Sequence, residues 1–345
     1  MSGARGAHPL LSVKGLTCSI RTPQARLSIL TDIGFSLDHG TSLGIVGESG
    51  AGKSMLIKAI MGLAPRIAEI TGTVRLDGTD LATLPEARKR SYLGRKVGMV
   101  FQNPTTSLNP FVKIGRQVAE ASRLHLKLDR SAARTLATDL LRTVGIPDAA
   151  QCYDGFPHQF SGGMKQRIMI ATALACAPEL LIADEATTAL DVTVQKEILD
   201  LLQSLQQNRR MSMILVTHNL GIVAGRTDEV IVLYGGRIAE MGRTEHLFRT
   251  PRHRYTAALL AAMPRMDQPP HSRLQTIPGA PPDLLRPEPG CPFAPRCGAA
   301  DDRCRQTMPD MARSGDANHH FACHHPIPVD AAPALPSAQE GTRHG

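Results

Sequence analysis

Apolar residues recur along this chain in two patterns that alternate with each other. Short continuous apolar runs are typical of buried strands, and they occur at 42–46, 96–101, 180–184 and 213–217. Apolar residues three and four positions apart are typical of helices, and this spacing occurs at 55–63, 118–126, 132–144, 164–175 and 192–206. Buried strands that alternate with helices predict an α/β fold around a parallel sheet.

Three regions depart from this alternation. Between 10 and 37, short apolar segments alternate with polar turns, and 72–78 ends on an Asp-Gly turn, so we expect antiparallel strands there. Helical patterns dominate 103–160, which predicts a helical insertion in the parallel core. Residues 229–241 predict a hairpin around a Gly-Gly pair.

The last quarter of the chain is rich in proline. Sixteen of the 25 prolines lie at 251–345. Because proline removes a backbone donor and breaks helices, we expect one helix at about 255–263 and then an extension with little regular structure up to residue 327. Residues 1–9 and 328–345 are expected to be disordered.

The composition, with 42% hydrophobic and 20% charged residues, predicts a soluble globular protein. No run of eighteen apolar residues occurs and the N-terminus lacks an apolar signal core, so we expect neither a membrane span nor a secretory signal. The net charge of +8 fits nucleic acid, an anionic membrane face or a basic proteome. Only 3% of the residues are aromatic, which is poor material for stacking on bases, and we expect no nucleic-acid partner.

The segment 47–54, GESGAGKS, has the residue pattern of a phosphate-binding loop. It lies between a predicted strand and a predicted helix, where the N–H groups of a Gly-rich turn and a helix N-terminus attract anions. Lys53 is expected to reach the outer phosphates of a nucleotide, and the Ser54 hydroxyl is expected to bind Mg²⁺. The candidate nucleotide-binding residues are Gly47, Glu48, Ser49, Gly50, Ala51, Gly52, Lys53 and Ser54.

Two carboxylates, Asp184 and Glu185, end the predicted strand at 180–184. A strand end beside a phosphate loop is where Mg²⁺ requires a carboxylate ligand, and Asp184 is expected to supply it. Glu185 is then expected to orient or deprotonate the water that attacks the γ-phosphorus. A solvated strand end is the alternative for this pair taken alone, and the presence of the phosphate loop disfavours it.

Four of the seven cysteines lie close together in the last quarter: Cys291, Cys297, Cys304 and Cys323. In a chain expected in the cytosol, such a group favours a metal site over disulfides. The gaps between them are five, six and eighteen residues, unlike the paired two-residue gaps of zinc ribbons. Histidines around Cys323 keep zinc as an alternative, and they are His319, His320, His324 and His325.

Further motifs stand at fixed distances from the two carboxylates. Gln102 precedes Ser161 by 59 residues, Ser161 precedes Glu185 by 24, and Glu185 precedes His218 by 33. In this order and spacing the chain resembles the ATP-binding cassette (ABC) family over most of 10–250. Gln102 occupies the position of the family's Q-loop, and His218 occupies that of its switch histidine.

Two other stretches carry the resemblance: FSGGM at 160–164 is similar to the family's signature sequence, and TALD at 188–191 is similar to its D-loop. The resemblance implies two cassettes packed head to tail, with each ATP between the phosphate loop of one and the signature sequence of the other. Residues implied to contact the nucleotide in this pair are Ser161, Gly162, Gly163 and Asp191. Residues implied to act in hydrolysis are Glu185, His218 and Gln102, and the implied Mg²⁺ ligands are Ser54, Gln102 and Asp184.

The resemblance also implies a fold and cofactors. The fold is a P-loop NTPase of the ABC cassette type, with a RecA-like parallel core, antiparallel N-terminal strands and a helical subdomain at about 103–165. Together these form a nucleotide-binding domain at 1–250, whose cofactors are ATP and Mg²⁺. Ile20 stands where the family has an aromatic residue against adenine, and Arg21 is the alternative stacking group.

A narrower resemblance is to the peptide/nickel branch of ABC importers. The similar stretches are FQNPTTSLNP at 101–110, DEATTALDVTVQ at 184–195 and HRYT at 253–256. The extension at 251–327 resembles that of the D-type ATP-binding subunits of dipeptide and oligopeptide importers. Some members of that group carry a [4Fe–4S] cluster on such cysteines, so the resemblance implies a cluster as one option here, with zinc or no metal as the alternatives.

The implied function is ATP hydrolysis that drives a binding-protein-dependent importer, for dipeptides or oligopeptides or for another solute such as nickel or opines. The implied partners are two membrane permease subunits, a second ATP-binding subunit and an extracytoplasmic solute-binding protein, with this chain peripheral on the cytoplasmic face of the inner membrane. A soluble ABC ATPase of DNA repair or translation is an alternative, although such proteins usually have a long coiled coil or two cassettes in one chain. A nucleotide-binding module without turnover is disfavoured by the presence of Glu185 and His218.

Overall fold

The computed structural model describes residues 8–21, 26–187, 190–263, 276–285, 288–315 and 318–329, without the side chain of Thr105. The disorder predicted at 1–9 and 328–345 lies outside this description, apart from residues 8, 9, 328 and 329. Two residues of the predicted D-loop, Thr188 and Ala189, also lie outside it.

The predicted core strands and helices are confirmed, with ends that differ by a few residues. The strands within the described residues are β1 (Leu11–Arg21), β2 (Arg26–Leu37), β3 (Ser42–Val46), β4 (Ala68–Leu76), β5 (Thr79–Asp80), β6 (Val97–Val100), β7 (Leu180–Asp184), β8 (Ser212–Thr217), β9 (Glu229–Tyr234), β10 (Arg237–Arg243), β11 (Ala312–Arg313) and β12 (His320–Phe321). The α-helices there are α1 (Lys53–Ile60), α2 (Glu86–Lys96), α3 (Pro104–Ser107), α4 (Ile114–His125), α5 (Arg130–Thr143), α6 (Ala149–Cys152), α7 (Gly162–Ala173), α8 (Val192–Arg209), α9 (Leu220–Val223), α10 (Thr244–Arg249), α11 (Arg254–Ala261) and α12 (Asp302–Gln306). None of these helices has both the length and the apolar composition needed to span a bilayer.

Two sheets organise the fold. The larger has the strand order β11-β12-β10-β9-β3-β8-β7-β6, and its strands from β9 to β6 are mutually parallel. The smaller sheet is antiparallel and has the order β2-β1-β4-β5. One apolar core fills the space between the two sheets around α1, and a second lies between the larger sheet and the helices on its other side.

The register of the larger sheet places the candidate site. Val46, the last residue of β3, pairs with Thr217 of β8, and Asp184 of β7 pairs with Val216 of β8. The next strand, β6, ends at Val100, opposite Ala183. Because the carboxyl ends of neighbouring parallel strands meet at one edge of a sheet, the segments that follow these four strands converge there.

The extension contains more regular structure than the sequence predicted. Strand β12 pairs with β10 in the main sheet and with β11, and helix α12 precedes them. The proline count predicted little structure, but β10 has an edge that offers backbone donors and acceptors to a short strand. Part of the extension is therefore continuous with the core sheet.

Candidate functional site

The phosphate loop connects β3 to α1 in a conformation that only glycine adopts readily at two positions. Gly50 has φ +83° and Gly52 has φ +99°, both in the left-handed region. A Cβ at Gly47 would overlap the carbonyl oxygen of Leu233 in the neighbouring strand. The loop therefore lies against β9, and Ser49 and Gly50 at its outer side are exposed.

Lys53, the first residue of α1, lies beneath the loop. Its ammonium donates to the carbonyl oxygens of Gly47 at 2.8 Å and Glu48 at 3.1 Å, and its side chain is 5% exposed. Burial lowers the pKa of Lys53, while Glu185, 3.7 Å away, acts in the opposite direction. The loop thus holds a cation next to the N–H groups of a helix N-terminus, which is an arrangement suited to a polyphosphate.

Ser54 and Asp184 come together as the sequence predicted for a Mg²⁺ site. The Ser54 hydroxyl donates to Asp184 Oδ1 at 3.2 Å. Burial raises the pKa of Asp184, and the hydrogen bond from Ser54 acts against this rise. A hydroxyl and a carboxylate at this position are hard oxygen donors, which are the ligands that Mg²⁺ prefers.

Glu185 is the residue at which the predicted catalytic groups meet. Its carboxylate accepts from Gln102 Nε2 at 2.9 Å, and it lies 3.6 Å from His218 Nδ1 and 3.7 Å from Lys53 Nζ. Its backbone has φ +47°, a left-handed conformation that is uncommon for a residue other than glycine. The segments after β6, β7 and β8 and the phosphate loop thus bring Gln102, Glu185, His218 and Lys53 into one site.

The signature and D-loop residues have contacts of a different kind. Ser161 is exposed and caps α7, since its hydroxyl accepts from the Met164 N–H at 3.4 Å. Asp191 caps α8 by accepting from the Val194 N–H at 2.9 Å. A Cβ at Gly163 would lie 2.8 Å from Val194, so glycine at this position allows α7 to pack on α8. Gly162 is the first residue of α7. Within the described residues, the hydrogen bonds of Ser161 and Asp191 do not reach the phosphate loop of the same chain.

Arg21, the alternative stacking group for adenine, pairs with Glu69 at 3.1 Å and is 72% exposed in its side chain. Ile20 is half-buried in β1. Both lie at the end of β1, before 22–25, which is outside the described residues.

The four clustered cysteines line one cavity. Cys291, Cys297, Cys304 and Cys323 all carry free thiols and surround it together with His324 and His325. Burial raises the pKa of Cys291 to about 11. Four thiols are the donor set of both iron–sulfur and structural zinc sites, so the residues fit either group. Next to this cavity, Asp301, Cys304 and His325 have ligand atoms that lie within 4.8 Å of one another, which is within reach of one ion.

Two residues that sequence reasoning did not assign to the site reach the phosphate loop from the extension. The Glu48 N–H donates to the Tyr255 hydroxyl at 3.0 Å, and the Glu48 carboxylate pairs with Arg296 at 2.7 Å. The Glu48 N–H is thus bonded within the chain, and the role of Glu48 in nucleotide binding stays a prediction. Tyr255 and Arg296 stand in stretches already singled out by resemblance, but no sequence pattern indicates this contact.

Two protein-family models match the chain. The ABC transporter model matches residues 30–188. The model described as the C-terminal region of oligopeptide/dipeptide transporters matches residues 239–304. The second match extends over part of β10 and over Tyr255, Cys291, Arg296 and Cys304.

Named relatives match most of the chain. It is 45% identical over 298 residues to the oligopeptide transport ATP-binding protein OppD of Haemophilus influenzae, a match that spans 86% of this chain and 92% of the relative. It is 43% identical over 327 residues to the dipeptide transport ATP-binding protein DppD of Escherichia coli, spanning 94% of this chain and 99% of the relative. The match to DppD includes almost the whole of both proteins.

The fold matches a solved cassette. The dimeric, post-hydrolysis structure of the ATP-binding cassette MJ0796 with ADP and Pi superposes with a TM-score of 0.61 and 25% sequence identity. The match covers 68% of this chain and 98% of that cassette. The α/β cassette fold expected from the sequence is confirmed.

Proposed function

Because the chain belongs to the ABC transporter family, an assignment that rests on its relatives, we propose that it hydrolyses ATP to drive the import of dipeptides or oligopeptides. The observation that carries the proposal is the meeting of Lys53, Gln102 and His218 around Glu185. The peptide cargo is supported by the match of the extension to the oligopeptide/dipeptide transporter model and by the names of OppD and DppD.

The phosphate loop binds ATP by charge and by shape. The N–H groups of the loop and of the first turn of α1 surround the phosphates, and Lys53 neutralises their charge. Ser54, Asp184 and Gln102 would hold Mg²⁺, which would reduce the negative charge of the bound phosphates. The direct Ser54–Asp184 hydrogen bond supports the first two of these ligands.

Glu185 activates the attacking water. Its carboxylate lies beside Lys53, so a water held against it is within reach of a phosphate bound by the same loop. His218 would contact the γ-phosphate, and this role is supported by its half-exposed side chain 3.6 Å from Glu185. Gln102 donates a hydrogen bond to Glu185 and stands two residues before α3. It would therefore connect the occupancy of the ATP site to the position of the helical region that begins at α3.

A second ATP-binding subunit completes each site. Ser161 and Gly162 are exposed at the N-terminus of α7, with Gly163 half-buried behind them, and a helix N-terminus favours an anion. In a head-to-tail pair this terminus faces the γ-phosphate held by the partner, with Asp191 close to the same interface. ATP would then join the two subunits, and hydrolysis would release them.

The substitution Glu185→Gln tests this chemistry. We expect ATP binding to be retained and phosphate release to fall by about 10²- to 10⁴-fold, the usual scale for loss of a positioned base. ATP-dependent pairing of the variant, measured by light scattering, should persist because the nucleotide is not consumed. Glu245→Gln, an exposed position on α10, serves as the matched control. Turnover that survives in Glu185→Gln would show that another group activates the water.

The same proposal includes docking to two membrane permease subunits at the cytoplasmic face of the inner membrane, with a solute-binding protein on the other side. Phe111 is 88% exposed and Phe101 is 44% exposed, and both lie in the stretch between β6 and α4. Contiguous exposed apolar surface marks sites for protein partners, and we propose that these two side chains belong to such a surface. Phe111→Ser should reduce retention on salt-washed membranes that contain the co-expressed permeases. Equal retention without the permeases would indicate direct lipid binding instead.

A metal centre on the four cysteines is the last part of the proposal. Cys291, Cys297, Cys304 and Cys323 would bind a [4Fe–4S] cluster, as the resemblance implies, and zinc is the alternative for the same thiols. Iron and acid-labile sulfide in equal amounts, with visible absorbance lost in Cys304→Ser, would support the cluster. Stoichiometric zinc in colourless protein, unchanged after anaerobic reconstitution with iron and sulfide, would refute it.

A further inference from the structure

The second residue of the phosphate loop is bound to the extension through both its main chain and its side chain. The Glu48 N–H donates to the Tyr255 hydroxyl at 3.0 Å. The Glu48 carboxylate accepts from Arg296 Nη1 at 2.7 Å. The loop that holds the nucleotide is thus anchored at one point to residues that lie 207 and 248 positions later in the chain.

Arg296 is held in a fixed position. Its side chain is 5% exposed, and its guanidinium also donates to the Pro278 carbonyl oxygen at 2.8 Å and to the Tyr234 hydroxyl at 3.1 Å. A buried guanidinium requires a carboxylate partner, because an unpaired charge in such a place is unfavourable. Within the described residues Glu48 is the carboxylate with which it pairs.

Tyr255 is held equally firmly. It is fully buried, and its ring packs on Tyr234 at 4.4 Å and on Phe293 at 5.4 Å between ring centroids. Phe293 lies three residues before Arg296, in the turn between Cys291 and Cys297. The two contacts to Glu48 therefore come from one packed aromatic and guanidinium cluster.

We propose that Arg296 and Tyr255 are positioning residues that hold the phosphate loop in its nucleotide-binding conformation, and that the extension thereby sets the affinity for ATP. The inference rests on the proposed function, since it concerns the same ATP site. The loop contains three glycines, so it has much conformational freedom to lose when it binds a nucleotide. A contact that orders the loop beforehand removes part of that loss and strengthens binding.

The test measures the Kd of ATP in EDTA, where hydrolysis does not interfere, by competition with a fluorescent ATP analogue. The variants are Arg296→Gln, Glu48→Gln, the double variant and Tyr255→Phe in the full-length chain. Arg305→Gln is the matched control, because Arg305 lies in the same extension, is exposed and pairs with Asp302 rather than with the loop. Glu48→Gln and Tyr255→Phe also carry the test if Arg296→Gln does not fold.

We expect the Kd to rise about tenfold in Arg296→Gln and in Glu48→Gln, which corresponds to the loss of one charged hydrogen bond. The double variant should resemble either single variant, because both remove the same contact. Tyr255→Phe should raise the Kd several-fold, and the number of ATP sites per chain should stay the same in all variants.

Three results would overturn the inference. The first is an unchanged Kd for ATP in Glu48→Gln. The second is a Kd in the double variant that rises by the product of the two single effects. The third is a smaller number of ATP sites per chain with an unchanged Kd, which would indicate a purely structural role. Wild-type protein that binds no ATP would refute the proposed function and this inference with it. Wild-type binding with unaffected variants would refute only the inference.

Discussion

Replacement of Glu240 tests how the extension is joined to the core sheet. Glu240 lies on β10 and is completely buried. Its carboxylate accepts from the Arg252 N–H at 2.7 Å and the His253 N–H at 2.9 Å, and it lies 2.6 Å from His319 Nε2. It therefore connects the sheet to the start of α11 and to the segment before β12.

The expected loss in the free energy of unfolding follows from the number of hydrogen-bond donors that the substitution leaves without an acceptor. In Glu240→Ala the buried N–H of His253, the partly buried N–H of Arg252 and one imidazole N–H lose their partner, at about 1–3 kcal/mol each. We expect the free energy of unfolding to fall by about 5 kcal/mol, which is exceptional for one substitution. Glu240→Gln keeps one acceptor oxygen but turns an amide donor towards another donor, so we expect a loss of about 2–3 kcal/mol.

Urea unfolding followed by circular dichroism measures both values, and Glu245→Ala is the control. Glu245 is 64% exposed and pairs with Arg249 on the surface of α10, so its removal should change the unfolding free energy by less than about 0.5 kcal/mol. Amide hydrogen exchange at residues 252 and 253 reports whether the loss is local. A loss below about 1 kcal/mol in Glu240→Ala, or equal losses in the Ala and Gln variants, would refute the reasoning.

Three further predictions concern single positions. Gly47→Ala should abolish measurable ATP binding in a filter assay, because the new methyl group overlaps a carbonyl oxygen of β9; binding at the wild-type level would mean that the loop can move away from β9. Gly115→Ala should destabilise the helical region by about 2–3 kcal/mol in urea, because its methyl group overlaps the ring of Tyr153, and full stability would contradict this packing. Burial lowers the pKa of His253 to about 4, below its ordinary 6.5. Between these two pH values the unfolded chain therefore binds more protons than the folded chain. The free energy of unfolding should fall as the pH is lowered through this window, by about 2 kcal/mol at pH 5. His253→Asn keeps a helix-capping side chain but does not titrate, and an equal pH-dependent loss in that variant would exclude His253 as the cause.

The sequence was sufficient for features that depend on neighbours in the chain. The phosphate loop, for example, was predictable because its glycines, lysine and serine act within one strand–turn–helix unit. Helices α7 and α8 were predictable from apolar spacing, although α7 begins at Gly162 and α8 ends at Arg209, and caps of this kind vary by a residue or two. The short strands β11 and β12 were missed, because each has two residues and depends on the edge of β10.

By itself, the sequence determined which residues have charged, hydroxyl or thiol side chains and where glycine allows unusual backbone conformations. It also determined in which predicted strand, turn or helix each of these residues lies. Only the tertiary structure decided that Lys53, Gln102, Glu185 and His218 share one site, because four strand ends had to align in one parallel sheet. It also decided that Arg296 and Tyr255 contact Glu48. Contacts between residues more than 200 positions apart leave no periodic pattern in a sequence, since they arise from the packing of whole elements rather than from local geometry.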